Sequence, residues 1–241
     1  MSSEFIIEAN PSKSHFQRVL ICSALSGKIY RIFNYPKSDD AQTSINSLRE
    51  MGFSVIDKDE FLIINSEPRI FKELYEIDCR ESGFILRTLP LIAAASGGNY
   101  IFRFSEIFVN RNLTEFENIF NQFGIKLNFQ NDNLTFNCNK TTITSIRTDG
   151  SISSQYLSGL LISMAFFNSL QKIEVANLQS KKYTDLTLNI LDKFGHHIIN
   201  EDYHNFHLIK LNNNTVEFFK QDIPDLIIEG DWSGMSFPMV L

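Results

Sequence analysis

An internal repeat constrains the fold of this chain more than any other feature of its sequence. LREMGFSV, FNQFGIKL and LDKFGHHI each end an amphipathic pattern at a glycine, and these glycines, Gly52, Gly124 and Gly195, are 72 and 71 residues apart. Glycine is a common C-terminal stop of a helix, and a β-rich segment follows each one. RVLICSALSGKIYRIFN, PLIAAASGGNYIFRFS and LLISMAFFNSLQKIEVAN also align as apolar helix, polar turn and alternating strand. The chain therefore contains three copies of one unit.

Each unit reads strand, helix, strand, helix, strand, strand. The patterns predict helices over 14–26, 39–51, 83–96, 112–123, 153–167 and 182–194, with strands near 28–34, 53–57, 60–64, 99–104, 125–129, 133–137, 171–176, 197–201 and 205–210. The first helix of each unit is apolar almost all round, which predicts that it is buried. We expect an α+β fold (α/β in broad terms) with three buried helices and sheets outside.

Composition narrows the class of protein. With 241 residues, 43% hydrophobic and 21% charged, the chain has a globular composition, and its net charge of −6 argues against a broad nucleic-acid surface. The start lacks a signal-peptide pattern and no apolar run is long enough to span a bilayer, so we expect a cytoplasmic protein without membrane contact.

The cysteines and histidines do not predict a metal site. Cys22, Cys79 and Cys138 are odd in number and scattered, so each is expected to be a small buried residue rather than part of a disulfide framework. Four of the five histidines, His196, His197, His204 and His207, lie on predicted paired strands and are expected at the surface.

The starts of the three buried helices predict an anion site. SKSHFQR, ESGFILR and SSQYLSG would lie together at one end of the domain, bringing in Lys13, Ser14, Arg18, Glu81, Gly83, Arg87, Ser153, Ser154 and Gln155. Backbone N–H groups at helix starts, hydroxyls and cations together favour phosphate or carboxylate ligands. For NPSKSHFQRVL alone, the alternative is a capped helix with a solvated basic face.

These residues resemble a known family, the 5-enolpyruvylshikimate-3-phosphate synthases among the enolpyruvyl transferases. The matching segments, in the family's order, are PSKSHFQR, KSDDAQTSINSLREMG, ESGFILR, VNRN, DGSISSQYLSGLL, SKKYTDLTLNILDKFG and EGDWSG. They cover nearly the whole chain, and DGSISSQYLSGLL and SKKYTDLTLNIL separate this family from its amino-sugar relatives. The resemblance implies a lobe of three repeated βαβαββ units.

The resemblance also implies an activity. The family joins phosphoenolpyruvate to the 5-hydroxyl of shikimate 3-phosphate and releases phosphate, a step of chorismate and aromatic amino acid biosynthesis. By position, shikimate 3-phosphate would contact Lys13, Ser14, Arg18, Ser153, Ser154, Gln155, Ser180 and Tyr183. Phosphoenolpyruvate would contact Lys13, Gly83, Arg111 and Gln155, and Lys13 would be catalytic. No cofactor or metal is implied, and we expect a monomer.

Several of these residues have structural alternatives. Ser153, Ser154 and Ser180 are suitable helix caps, and Gly83 could serve packing alone. Arg87 could pair with Glu81 as readily as with substrate. Asp39 and Asp40 fit a helix N-cap in KSDDAQ and are read as structural.

The sequence departs from the family at three places. Glu81-Ser82-Gly83-Phe84 stands where the family has Asn-Ala-Gly-Thr, and a carboxylate beside two anions is unfavourable unless it pairs with Arg87 or Arg80 or takes up a proton. The segment before Arg111 has fewer basic residues than in the family and reads FVNRN, and Lys182 replaces a proline. These changes concern the phosphoenolpyruvate half more than the shikimate half.

The resemblance predicts how the chain divides. EGDWSGMSFPMVL resembles the return of the family's chain to a second lobe, so we expect a truncated form that is inactive alone. Residues 11–227 would form a complete lobe, with 1–10 and 228–241 as remnants of the second lobe. Two alternatives are an enolpyruvyl transferase acting on an amino-sugar nucleotide and a non-catalytic relative that keeps the ligand site.

Overall fold

The repeat predicted from the sequence is present in the structure. The computed structural model of the chain describes residues 9–67, 70–108, 114–139, 143–167, 170–209 and 223–231. The helices are α1 (Lys13–Leu25), α2 (Asp39–Glu50), α3 (Gly83–Ser96), α4 (Thr114–Gln122), α5 (Ser154–Phe166) and α6 (Lys181–Lys193). The strands are β1 (Ile29–Phe33), β2 (Ser54–Asp57), β3 (Phe61–Asn65), β4 (Tyr75–Asp78), β5 (Gly98–Arg103), β6 (Asn128–Gln130), β7 (Asn133–Cys138), β8 (Ile143–Asp149), β9 (Leu170–Ala176), β10 (Ile198–Glu201), β11 (Asn205–Leu208) and β12 (Asp225–Ile227). Every predicted helix and strand has a counterpart within about three residues, the usual uncertainty of such boundaries.

Three four-stranded sheets share one topology. Their strand orders are β12-β1-β3-β2, β4-β5-β7-β6 and β8-β9-β11-β10. In each sheet the first two strands pair in parallel and the other neighbours pair antiparallel. A parallel pair needs a crossover connection, and α3 and α5 provide it in the second and third sheets.

In the first sheet, the strand that pairs in parallel with β1 comes from the opposite end of the described chain; we call this strand, and its counterparts β4 and β8, the leading strands of the sheets. β12 pairs in parallel with β1 in the register Arg31 with Asp225 and Phe33 with Ile227. It occupies the position that β4 and β8 hold in the other two sheets. The sequence predicted the strand–helix–strand order of the unit but located none of these three leading strands.

The first helix of each unit lies in the core, as predicted. Phe16 and Leu20 of α1, Leu86 of α3 and Leu160 and Leu161 of α5 have no exposed surface and belong to one continuous hydrophobic cluster. The three cysteines are free and buried within this fold, as expected. Among the described residues, no helix is long and apolar enough to cross a membrane.

Two short segments from distant parts of the chain meet beside α1. Pro11 forms an antiparallel bridge with Gly230, the Ser12 N–H donates to the Glu229 carbonyl at 2.8 Å, and the Asp231 N–H donates to the Asn10 carbonyl at 2.6 Å. Ile228, just outside the predicted lobe boundary, is 1% exposed and packs in the core. The side chain of Ile228 therefore packs against residues of the predicted lobe.

His15 connects α1 to the same junction. Its ring is 4% exposed, and its Nδ1 accepts the Glu229 N–H at 3.2 Å. Burial lowers the pKa of His15, and the positive charges of Lys193 and Arg18 lower it further, against the opposing effect of the Glu229 carboxylate. The neutral ring is therefore the form that the fold requires.

The other histidines differ in one respect from their prediction. His196 is not a plain surface residue, because its ring lies 4.4 Å from the Phe166 ring and burial lowers its pKa. His197 and His207 lie against the carboxylates of Asp192 and Glu201.

The three repeated glycines end their helices in a left-handed conformation, as predicted, with φ of 90° at Gly52, 69° at Gly124 and 83° at Gly195.

We expect Gly195→Ala to lower the free energy of unfolding by about 1–2 kcal/mol, the cost of a positive φ with a side chain. Gly52→Ala should lower it clearly more, because its Cβ would lie 2.2 Å from the Ile70 carbonyl oxygen, whereas nothing lies within 4 Å at Gly195. Urea unfolding of both variants measures this difference. Equal decreases in the free energy of unfolding would show that the backbone at Ile70 can move away at no free-energy cost.

The His15 contact predicts a stability that depends on pH. Because the folded state lowers the pKa of this histidine below its value in the unfolded chain, about 6.5, its contribution is present above that pH and is lost as the pH falls below it. Unfolding free energies measured between about pH 7.5 and pH 5.5 should therefore decrease, by at most about 1.4 kcal/mol per pH unit for each histidine. His15→Asn keeps an acceptor for the Glu229 N–H but does not titrate, so it should flatten this slope. An unchanged slope in the variant would contradict the assignment.

Candidate active site

A cavity of about 620 Å³ lies where α1, α3, α5 and α6 begin, beside the first turn of α2. The residues that line it are Lys13, Ser14, Gln17, Arg18, Asp40, Glu81, Gly83, Phe84, Arg87, Ile107, Phe108, Ile152, Ser153, Ser154, Gln155, Ser180 and Tyr183. The starts of α1, α3 and α5 meet there as predicted, and the start of α6 joins them. Helix starts present unpaired backbone N–H groups and a positive dipole end, so the cavity is suited to anions.

All but one of the predicted site residues are at this cavity. Lys13, Ser14, Arg18, Gly83, Ser153, Ser154, Gln155, Ser180 and Tyr183 line it. Arg111 lies outside the described residues, so its placement is still a prediction. The cavity brings together residues that are up to 170 positions apart in the sequence, from Lys13 to Tyr183.

Arg18 is a buried cation at the wall of the cavity. It is 2% exposed, and its Nε, Nη1 and Nη2 donate to Thr187 Oγ1 at 2.8 Å, the Ser14 carbonyl at 2.9 Å and Ser158 Oγ at 2.9 Å. All three acceptors are neutral, and no carboxylate among the described residues forms an ion pair with Arg18. Burial lowers the pKa of Arg18 to about 10, so it still carries its charge at neutral pH. A buried charge without a counterion is costly, which makes it a strong candidate for binding an anionic ligand.

Two aromatic rings border the same guanidinium. Its Cζ lies 4.6 Å from the centroid of the Phe84 ring and 5.8 Å from that of Tyr183. Tyr183 is 45% exposed and faces the cavity from the first turn of α6. The rings stabilise the cation by cation–π interaction without neutralising it.

The serines at the helix starts differ in how their hydroxyls are used. Ser153 is the N-cap of α5 and accepts the Gln155 N–H at 3.2 Å, which is the structural role considered for it. Ser180 is the N-cap of α6 but makes no side-chain cap hydrogen bond. At α3 the cap residue Ser82 also makes none, and its hydroxyl instead accepts from Gln17 Nε2 at 3.3 Å. At two of these four helix starts, those of α3 and α6, the cap side chain therefore satisfies none of the free backbone N–H groups.

Lys13 does not stand alone at the cavity. Its Nζ forms an ion pair with Asp40 at 2.6 Å, and the two side chains are 49% and 31% exposed. The cap of α2 is Ser38, whose hydroxyl accepts the Ala41 N–H at 3.4 Å. Ser38, not Asp39 or Asp40, is therefore the N-cap; both aspartates lie in the first turn of α2, where acidic side chains complement the helix dipole as predicted, and Asp40 also lines the cavity.

Gly83 permits a close approach between α3 and an arginine side chain. A Cβ at Gly83 would lie 2.8 Å from Arg87 Nη1. That nitrogen donates to the Gly83 carbonyl at 3.2 Å and to Gln155 Oε1 at 3.0 Å. Arg87 is thus aimed at the start of α5, where it orients the Gln155 amide.

Glu81 pairs with neither of the arginines considered for it. Arg87 contacts Gln155, and Arg80 lies 3.7 Å from the Asp78 carboxylate. Glu81 is exposed and lines the cavity. The described lining therefore contains three cations, Lys13, Arg18 and Arg87, and two carboxylates, Asp40 and Glu81.

Part of the lining was not predicted from the sequence. Gln17 is 2% exposed and its amide donates to Ser44 at 2.9 Å and to Ser82, which ties α2 and the start of α3 to α1. Its spacing from Ser14 and Lys13 places it on the same helix face, a signal that was available. Ile107 and Phe108 belong to a 3-10 turn (Glu106–Phe108) and Ile152 lies in a loop, and no sequence signal predicted their approach to the cavity.

Comparisons with known proteins agree with this geometry. The EPSP synthase (3-phosphoshikimate 1-carboxyvinyltransferase) family profile matches residues 4–241. Proteins named 3-phosphoshikimate 1-carboxyvinyltransferase from Clostridium beijerinckii and Clostridium botulinum are 33% identical over 240 residues and 34% identical over 241 residues. These alignments cover 96% and 97% of this chain but 54% of each relative, so the chain spans about half the length of the curated relatives it matches.

A solved structure shows the same fold. The EPSP synthase of Acinetobacter baumannii superposes with a TM-score of 0.75 at 16% identity, covering 97% of this chain and 52% of that chain. The predicted fold class and the resemblance seen in the sequence are thus confirmed. The chain belongs to the EPSP synthase (3-phosphoshikimate 1-carboxyvinyltransferase) family.

Proposed function

We propose that this chain carries the shikimate 3-phosphate site of a 3-phosphoshikimate 1-carboxyvinyltransferase. In this reaction the 5-hydroxyl oxygen of shikimate 3-phosphate bonds to C2 of phosphoenolpyruvate. The bond between C2 and the bridging phosphate oxygen breaks, and the released inorganic phosphate keeps that oxygen and takes up the proton that the hydroxyl loses. The observation that carries the proposal is the buried guanidinium of Arg18, held by neutral groups at a cavity surrounded by helix starts.

The shikimate half of the site is proposed to bind two anionic groups. The carboxylate would lie at Arg18 and Ser14, where a charged donor is available at low exposure. The phosphate would lie at the starts of α5 and α6, with Ser153, Ser154 and Ser180 as donors. Tyr183, half-exposed beside Arg18, would flank the ring of the substrate.

The phosphoenolpyruvate half is proposed to lie beside the start of α3. Lys13, Gly83 and Gln155 line that part of the cavity, and Arg111 would complete it. Lys13 would exchange its Asp40 partner for the ligand and act as the catalytic cation, because an exposed ion pair is weak enough to rearrange. Gln155, oriented by Arg87, would lie between the two substrates.

The remaining expectations belong to the same proposal. A lobe over residues 11–227 would bind shikimate 3-phosphate, with 1–10 and 228–241 leading to a second lobe that the longer relatives have. The protein would act as a cytoplasmic monomer on small molecules, without a cofactor.

We expect calorimetric titration of the chain with shikimate 3-phosphate to give saturable binding that Arg18→Ala weakens by at least about tenfold, or 1.4 kcal/mol, because hydrogen bonds to charged groups contribute about 1.5–3 kcal/mol. Arg18→Met should weaken it similarly while filling more of the space that alanine leaves. Arg103→Met, which removes an exposed arginine paired with Glu76 on the second sheet, is the matched control and should leave affinity unchanged.

The choice of ligand tests the alternatives. Preferential binding of an amino-sugar nucleotide would favour the other branch of the enolpyruvyl transferases. Full affinity for shikimate 3-phosphate in a folded Arg18→Met variant would remove the main support for the proposal.

We also expect the 241 residues alone to bind without turnover. The chain matches 54% of its curated relatives, and the proposal places further catalytic groups on the part that it does not match. Phosphate release from a mixture of both substrates should therefore stay at the background rate in a coupled phosphate assay. Release that scales with the concentration of the purified chain would contradict this division of the site.

A further inference from the structure

We propose that Ser158 and Thr187 are positioning residues that fix the Arg18 guanidinium for an anionic substrate group while leaving its charge uncompensated. This inference rests on the proposed function, because it explains how the anion site is assembled. Neither residue lines the cavity, and both act through Arg18.

The two hydroxyls join three helices at one buried point. Ser158 of α5 is fully buried and Thr187 of α6 is 1% exposed. Their oxygens lie 3.0 Å apart and accept from Nη2 and Nε of Arg18 on α1, at 2.9 and 2.8 Å. The side chain of Arg18 is therefore held against two helices that are distant from it in the sequence.

The carbonyl acceptors near the two hydroxyls allow their protons to point away from Arg18. Each hydroxyl has one proton, which a backbone carbonyl one helical turn earlier can accept. For Ser158 this is the Ser154 carbonyl at 3.2 Å, and for Thr187 it is the Tyr183 carbonyl at 2.9 Å. When the protons are given to these carbonyls, oxygen lone pairs face the guanidinium. Ser154 and Tyr183 line the cavity, so the same hydrogen bonds connect the position of Arg18 to the cavity wall.

Two N–H groups of the Arg18 guanidinium remain available for a ligand. A guanidinium has five N–H groups, and the described contacts use one on Nε, one on Nη1 and one on Nη2. One N–H therefore remains on each terminal nitrogen. Two such donors match the two oxygens of a carboxylate, or two oxygens of a phosphate.

The neutral character of the acceptors is the essential point. An aspartate or glutamate at either position would hold Arg18 more tightly, because charge-assisted hydrogen bonds are stronger. It would also neutralise the guanidinium and repel an incoming anion. Hydroxyls provide the geometry without the opposing charge. A purely structural role for these residues would not require this distinction.

The test compares substitutions at Thr187 by titration of the whole 241-residue chain with shikimate 3-phosphate. We expect the affinity of Thr187→Ser to stay within about twofold of that of the unsubstituted chain, because serine keeps the hydroxyl acceptor. Thr187→Val and Ser158→Ala remove an acceptor and should weaken binding about tenfold. Thr187→Asp should weaken binding more than Thr187→Val, although it provides the stronger acceptor for Nε. If Thr187→Asp instead restores the affinity that valine removes, the residue acts only as a structural support and the proposal is overturned.

Thr184→Val is the matched control. Thr184 is fully buried one turn earlier on α6, and its hydroxyl has no hydrogen-bond partner among the described residues. The same chemical change at this position should leave affinity within about twofold and should not lower the melting temperature, because no hydrogen bond is lost. A tenfold loss in this control would mean that any change in α6 disturbs the cavity, which would count against a specific role for Thr187.

A second measurement judges the positioning without a ligand. In the ligand-free chain, the Arg18 Nε–H signal in nitrogen-15 NMR, assigned by its absence in Arg18→Met, should exchange with solvent slowly. Thr187→Val should accelerate this exchange, whereas Thr184→Val should not. Equal exchange in the Thr187→Val variant and the unsubstituted chain would overturn the inference.

Failure of the folded, unsubstituted chain to bind shikimate 3-phosphate would count against the proposed function, and the exchange rates would then decide the positioning of Arg18 alone.

Discussion

The candidate site is organised around one buried guanidinium, that of Arg18, which pairs with no carboxylate of the described residues. Arg18 is 2% exposed, yet its hydrogen-bond partners among the described residues are a carbonyl and two hydroxyls, from α1, α5 and α6. Taking a charge out of water without a counterion costs several kcal/mol, so this arrangement lowers the stability of the ligand-free fold. Such a cost is reasonable where an anionic ligand later supplies the missing charge.

The three-fold repeat explains why this cation lies beside helix starts. Each unit places one buried helix between sheets, and the beginnings of these helices meet at the same end of the lobe as the start of α6. The partial positive charges of the helix starts and the side-chain cations then act on the same volume. The carboxylates Asp40 and Glu81 reduce that potential, so the cavity is only moderately cationic.

Much of the fold and of the candidate site could be predicted from the sequence, for identifiable reasons. Gly52, Gly124 and Gly195 carry a backbone signal that is local, because a positive φ favours glycine whatever surrounds it. Ser153 and Ser154 stand at the start of an apolar helix, and a helix start is likewise a local feature. Lys13, Ser14 and Arg18 lie within one turn and a half of α1, so their common location followed from the helix alone.

Contacts between distant segments could not be predicted in this way. Asp40 fits a helix start by its sequence, but its pairing with Lys13 depends on how α2 packs on α1. Arg87 could have paired with Glu81, and it contacts Gln155 instead because Gly83 leaves room for its side chain against α3.

The sequence by itself determined the repeated unit, the ends of its helices and the residue types gathered at their starts, because these depend on local backbone preference and on periodic burial. Only the tertiary structure decided that β12 completes the first sheet and that the hydroxyls of Ser158 and Thr187 hold Arg18. The physical reason is that hydrogen bonds between elements 140 and 169 residues apart depend on the packing of whole helices, which no local pattern encodes.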